Sequence, residues 1–281
     1  MMRSMYAAVG GLRNHQTRMD VIGNNIANVN TVAFKSSRVT FQDVFYQTIS
    51  GGSAPTADRG GINPKQVGVG MALNSIDTNL TQGNVQPTGI ATDIMIQGDG
   101  YFVLSDAAQI CFSRAGVFGF DSAGNLINKN NGMFVQNVNG GHITIDPDAQ
   151  SFQISSDGYV TFIDSTGALQ GSGDLDFQIA VAKFTNPEGL LKVGENLFQY
   201  DTNAGDEVGG AAMPPAPGDA VGGAPGADSR GTLVPGSLEM SNVELAQEFT
   251  DMITTQRGFQ ANARTITTSD EMLQELVNLK R

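Results

Sequence analysis

Met5-Tyr6-Ala7-Ala8-Val9-Gly10-Gly11-Leu12 opens a run, ending at Val29, whose apolar residues recur every three or four positions. Met5, Leu12, Met19 and Ile26 are seven apart, and Ala8, His15, Ile22 and Val29 fill a second position three residues later. Seven of these eight positions are apolar, the pattern of a helix packing along one narrow stripe. The far end of the chain carries the same kind of object. Leu245, Phe249, Met252, Phe259, Ala263, Ile266, Leu273 and Val277 keep an alternating three-and-four spacing, interrupted at Gln256 and Asp270. Two such helices either bury a face in their own domain's core or supply it to a partner, and periodicity alone admits both.

The two helices differ in local support. Ser241 followed by Glu244 reads as a capping box, each side chain satisfying a free N–H of the first turn. Acidic residues near that start and Lys280 and Arg281 at the end suit the helix dipole. In the N-terminal run, Gly10, Gly11 and Gly23 each cost about 1 kcal/mol against Ala. Asn24, Asn25, Asn28 and Asn30 compete with the backbone for its hydrogen bonds. This helix is expected to need its partner.

Between the helices the period changes to that of strands. Ile94 to Ile96 and Tyr101 to Leu104 flank the turn signal Gly98-Asp99-Gly100. Asn131-Gly132 and Asp157-Gly158 are turn candidates, and Phe177 to Phe184 is the most strand-like stretch. The expected fold class is therefore α+β: paired terminal helices, an extended connector and one antiparallel β-rich domain of sandwich or barrel type. The expected organisation joins residues 1–33 with 236–281 as a helical core. Residues 34–66 form an irregular connector, 67–200 the β-domain and 201–235 a linker back to the second helix. Residues 201–231 hold 8 Gly, 7 Ala and 4 Pro, too little apolar surface to offset ordering, so a mobile loop is expected. An extended strip laid along a neighbour is the alternative.

Composition excludes several functions. The net charge is −12 with only 16 basic residues among 281, which argues against nucleic acid and anionic membranes as partners. No apolar run reaches the roughly 20 residues of a membrane span, and residues 1–12 contain no secretory-leader core. Cys111 is single and reads as a small buried apolar residue on a strand. His15 and His142 are the only histidines, and neither has metal-ligand spacing with another His or with Cys. No catalytic constellation, cofactor motif or metal site is expected, and the chain does not read as an enzyme.

The run Met19-Asp20-Val21-Ile22-Gly23-Asn24-Asn25-Ile26-Ala27-Asn28-Val29-Asn30-Thr31, then Phe34-Lys35, resembles the N-terminal signature of the bacterial flagellar rod and hook proteins. Gly236-Ser237-Leu238-Glu239-Met240-Ser241-Asn242-Val243, then Met252-Ile253 and Gln256-Arg257, resembles that family's C-terminal signature. Thr81 to Asn84, Thr88-Gly89 and Asp93 to Phe102 resemble its central β-motif. Within the family, Arg38 to Phe41, Gln66 to Gly70, Ser75 to Thr78, Asp148 to Phe152 and the ending from Thr267 are most similar to the short hook proteins of Gram-positive bacteria. The distal rod protein is the alternative, since it shares both terminal signatures and carries its own insertion near Tyr46 to Pro64. Two departures are small-for-small: Gly10 stands where Ser is usual, and Ala33 where Gly is usual.

The resemblance implies a tubular homopolymer whose paired helices line the inside, with the β-domain outside, working as a flexible joint that transmits torque. It implies export through the flagellar type III apparatus without a cleaved signal, and a place in the hook, outside the cell. The implied partners are further copies of the chain, the distal rod protein, the hook cap, the hook–filament junction protein and the export apparatus. The assembly contacts expected are Met5, Leu12, Met19, Ile22, Ile26 and Val29 on the first helix. On the second they are Leu245, Phe249, Met252, Phe259, Ile266, Leu273 and Val277. Asn24, Asn25, Asn28, Asn30 and Phe34 are the signature positions. An adhesin with a β-domain on a helical stalk explains the layout but neither signature.

Overall fold

The structure is a computed structural model that describes residues 2–56, 59–106, 109–164, 166–208, 215 and 219–279. It is α+β, and it divides into two compact units, each assembled from separated pieces of chain. The first comprises Met1–Ala27, Ser37–Asn79 and Glu244–Arg281; the second comprises Asn28–Ser36 and Leu80–Val243.

In the first unit, α1 (Met2–Ala27) and α2 (Leu245–Asn278) pack together. They run antiparallel, because Gly11 lies against Asn262, His15 against Gly258, Arg18 against Asp251 and Asn25 against Glu248. Beside them β1 (Ser37–Asp43) pairs antiparallel with β4 (Met71–Thr78), with a bulge between Thr40 and Phe41. β2 (Tyr46–Ser50) pairs with β3 (Lys65–Gly68), and every residue of this ribbon is exposed. Residues 37–50 and 65–68, expected as an irregular connector and the edge of the β-domain, are thus paired strands.

The second unit carries the main core. Its strands are β5 (Val85–Pro87), β6 (Ile94–Gln97), β7 (Tyr101–Ser105), β8 (Ile110–Ser113), β9 (Phe118–Phe120), β10 (Leu126–Asn128) and β11 (Phe134–Val135). There follow β12 (Ser151–Ile154), β13 (Val160–Ile163), β14 (Leu169–Gln170), β15 (Val181–Ala182), β16 (Leu191–Gly194) and β17 (Leu197–Gln199). β18 (Thr232–Pro235) and β19 (Ser237–Glu239) complete the set. The largest sheet runs β16-β17-β8-β7-β11-β10-β9, with β15 also on β7. β12-β13-β14 form a second sheet, and β18 pairs with β6 and β19 with β5.

All five residues of β7 are buried because both its faces are covered. Phe102 and Leu104 enter one hydrophobic cluster, Tyr101 and Val103 another, as the alternation of a strand requires. Phe102 meets Phe118 edge-on at 4.9 Å in the first cluster, and Phe112 meets Phe184 at 4.8 Å in the second. Cys111 is buried in β8, where desolvation pushes its thiol up.

Three local expectations change. The strands on either side of Gly98-Asp99-Gly100 do not pair with each other: β6 takes β18, and β7 takes β8. Gly98 (φ 107°) and Gly100 (φ 143°) let the chain pass between sheets rather than close a hairpin. The stretch from Phe177 to Phe184 forms only a two-residue strand, because its other residues bridge to different partners in turn: Gln178 to Tyr159, Ile179 to Asn137 and Phe184 to Glu207. The described parts of residues 201–231 are anchored to the rest of the second unit at several points. Val181 and Gly223 exchange backbone bonds of 3.0 and 3.1 Å, and Ala204 and Val221 are fully buried. The Arg230 guanidinium, also buried, donates to Glu207 Oε1 at 2.8 Å. Sequence composition missed this because the anchors are single residues spaced through a Gly-rich background. Residues 209–214 and 216–218 of that loop, and Lys280 and Arg281, lie outside the described residues.

Candidate functional site

Two arrangements of side chains stand out, one in each unit, and both involve the signature segments. In the first unit it is the face between the helices. Ala8, Gly11, Ile22 and Asn25 of α1 are buried, and Met5, Leu12, Met19 and Ile26 are half-buried. On α2, Met252, Phe259, Ala263, Ile266 and Leu273 are half-buried, while Thr255 and Ser269 are buried outright. The two hydroxyls were invisible to an apolar-spacing argument. They tolerate burial because each donates to the carbonyl four residues back, Thr255 to Asp251 at 2.6 Å and Ser269 to Thr265 at 2.7 Å.

Part of the predicted stripe lies elsewhere. Leu245, Phe249 and Val277 are exposed. Phe249 follows Glu248, which faces Asn25, so it is turned about 100° off the contact. Val277 lies past the part of α2 that α1 accompanies, and Val29 lies beyond the end of α1. The capping box is absent too. α2 starts at Leu245 with Glu244 at the cap position and no side-chain cap bond. The Ser241 hydroxyl instead accepts the Val243 N–H at 3.3 Å, a local turn that competes with a cap.

Asn25 shows why an asparagine belongs in the helix. Its Nδ2 donates to Ser37 O (2.8 Å) and to Glu248 Oε1 (2.9 Å), and its Oδ1 accepts the Ser37 N–H (3.0 Å). One buried amide thus ties α1 to both β1 and α2. Burial pushes the Glu248 carboxyl up, against the Asn25 bond and Arg18, with Asp251 adding to the rise. Arg18 pairs with Asp251 at 3.2 Å. His15 lies against Gly258, where an added Cβ would come within 2.8 Å of the ring, and meets Phe41 at 5.9 Å. Its Nδ1 is buried without a hydrogen-bond partner, and desolvation, with Arg18 adding, holds the imidazole below its usual value. Asn24 and Asn30 sit on exposed positions.

In the second unit the site is ionic. The Glu239 carboxylate accepts from Lys35 Nζ at 2.6 Å and from Arg114 Nε at 2.8 Å. The three side chains are 1 %, 2 % and 6 % exposed. Backbone groups satisfy what remains. Lys35 also donates to Thr81 O, Arg114 to Gly98 O and Gly100 O, and the Gly83 N–H donates to Glu239. Burial alone would raise the Glu239 carboxyl, but Arg114 and Lys35 outweigh it and hold it below its ordinary value. The segment containing Phe34 is bound on the same side. The Ala33 N–H donates to Glu239 O, the Asn242 N–H to Phe34 O and the Ser36 N–H to Asn242 Oδ1. Asn28 closes the turn before it through Thr31. Ala33 adopts φ 58°, a left-handed conformation, so the exchange of Gly for Ala is not neutral there.

Lys35 and Glu239 are 204 residues apart, each within its own signature. A Lys in one signature and a Glu in the other, in a chain poor in charge, was the available hint. The arrangement has no open nucleophile or acid–base pair. It holds chain segments in register.

Comparison with known proteins follows the same division. Residues 5–35 match a family described as flagella basal body rod protein, and residues 95–162 match the flagellar hook protein FlgE/F/G D1 domain. Residues 234–279 match the flagellar basal body rod FlgEFG protein C-terminal. The chain is 50 % identical to the flagellar basal-body rod protein FlgG of Bacillus subtilis, with all of both chains covered. It is 34 % identical to the protein of that name from Borreliella burgdorferi and 31 % identical to that organism's flagellar hook protein FlgE, again over the whole of each chain.

Proposed function

The chain belongs to the flagellar rod and hook protein family, and from that premise we propose that it is a structural subunit of the flagellar axis, at the distal rod. The observation that carries the reading is the 50 % identity, over the full length of both chains, to a protein named as basal-body rod. Length adds to it. Rod relatives align over 281 and 288 positions, whereas the hook proteins need 462 and 480. The hook reading expected from local motifs is therefore second. What favours it is that two hook proteins, 31 % and 29 % identical, still cover the whole chain.

The role follows from the architecture. The half-buried helical stripes supply assembly contacts, with Met252, Phe259 and Ile266 of α2 on the side that meets α1 within a subunit. Leu245, Phe249 and Val277 are exposed, and in this reading they meet other copies. The buried ion cluster keeps the second unit rigid under torque. Further copies and the type III export apparatus are the partners this requires.

Deletion of the gene, followed by electron microscopy of purified basal bodies, separates the readings. Truncated rods are expected. Complete rods that end without a curved segment would move the assignment to the hook, and intact flagella would end both.

A further inference from the structure

The helix pair is staggered. With Gly11 opposite Asn262, Met2 falls opposite position 271, and the last described turns of α2 run past it. On those turns Met272, Leu276 and Leu279 are 50 %, 51 % and 81 % exposed. They are spaced i, i+4, i+7, so they form one stripe, and Glu271 and Glu275 lie along its edge. α1 carries a second uncovered stripe with the same spacing, Met2, Tyr6 and Val9, directed away from its contact with α2. Arg3 and Arg13 flank it, both exposed. Each stripe is about 11 Å long at 1.5 Å per residue.

We propose that these two stripes bind each other between copies. The projecting end of α2 in one subunit lies on the outward stripe of α1 in the next. The proposal rests on the axial reading and adds the contact that propagates the polymer. Charge selects the pairing: the acidic-edged stripe fits the basic-edged one, while either stripe against itself sets like charges side by side. The contact is therefore heterologous. A heterologous contact does not close on itself by a two-fold axis, so it can add copies without limit.

The test is a Tyr6→Cys and Leu276→Cys double variant, replacing the wild-type gene in a flagellated host. Tyr6 lies opposite about position 267 of its own α2, roughly 13 Å short of Leu276, which is beyond disulfide reach within one chain. Cys111 is buried and does not compete. Oxidised basal bodies on a non-reducing gel should give a ladder of multimers from the double variant and monomers from each single variant. Reversing Glu271 and Glu275 to Arg should lower the amount assembled roughly tenfold, and adding Arg3→Glu and Arg13→Glu should restore it. Normal assembly with no ladder overturns the contact and leaves the axial reading standing. Cross-linking by Tyr6→Cys alone, or a cross-linked band containing another protein, assigns the stripe a different occupant and also overturns it. Absence of the wild-type chain from basal bodies removes the axial reading and the contact together.

Discussion

Glu239 is the residue on which most depends. Its two cationic neighbours are buried with it, so losing the carboxylate leaves charge stranded in the interior. Glu239→Gln should cost the second unit about 3–5 kcal/mol, measured by urea unfolding at neutral pH. The pH dependence has a definite sign. The folded carboxyl titrates below its ordinary value of 4.5, so its contribution is complete above that value and is lost as pH falls through the folded one. The gap between wild type and variant should therefore close only in acid; a gap that closed near neutrality would contradict the assignment. The sequence offered only the hint of a Lys and a Glu in the two signatures, not their meeting with Arg114. Lys35, Arg114 and Glu239 come from three distant stretches, and local patterns carry no information about which charges will meet.

Glycines separate cost from purpose at the level of the helices. Counted by propensity, Gly11 and Gly23 are equal defects in α1. Around Gly23 an added Cβ would meet nothing within 4 Å, while at Gly11 it would lie 2.5 Å from Asn262, and at Gly258 2.8 Å from His15. Gly23→Ala should stabilise the helix pair by about 1 kcal/mol, whereas Gly258→Ala should gain less because the His15 ring must first be displaced from its place against Phe41. Thermal melts followed by circular dichroism at helical wavelengths compare the two; equal gains would show that Gly258 is not a contact. The helices themselves were legible because a 3.6-residue period is a local signal, and so were the strands β6 and β7, whose apolar runs Ile94–Ile96 and Tyr101–Leu104 are continuous. Strand partners were not, since β6 and β18 are separated by more of the chain than any turn signal spans. The start of α2 was misplaced for a simpler reason: Ser241 and Glu244 have cap chemistry, but Ser241 is committed to its own turn.

Both units are discontinuous, and this sets what the whole molecule can lose. The second unit includes nothing after Val243. Removing residues 244–281 should leave its unfolding transition in place while abolishing nearly all helical signal, because α1 has only four buried residues and depends on α2 for its packing. Loss of only the share owed to α2, whose 34 residues compare with 26 in α1, would show that α1 stands alone. Some ties in each unit join stretches far apart in sequence: Arg18 to Asp251 spans 233 residues and Lys35 to Glu239 spans 204. Such contacts are slow to find, because the loop they close must first surrender its freedom. A growing or threading chain therefore has no early stopping point. The first helix waits, unfinished, for the last one, so arrival of the tail acts as the clock that decides when each subunit's helix pair sets.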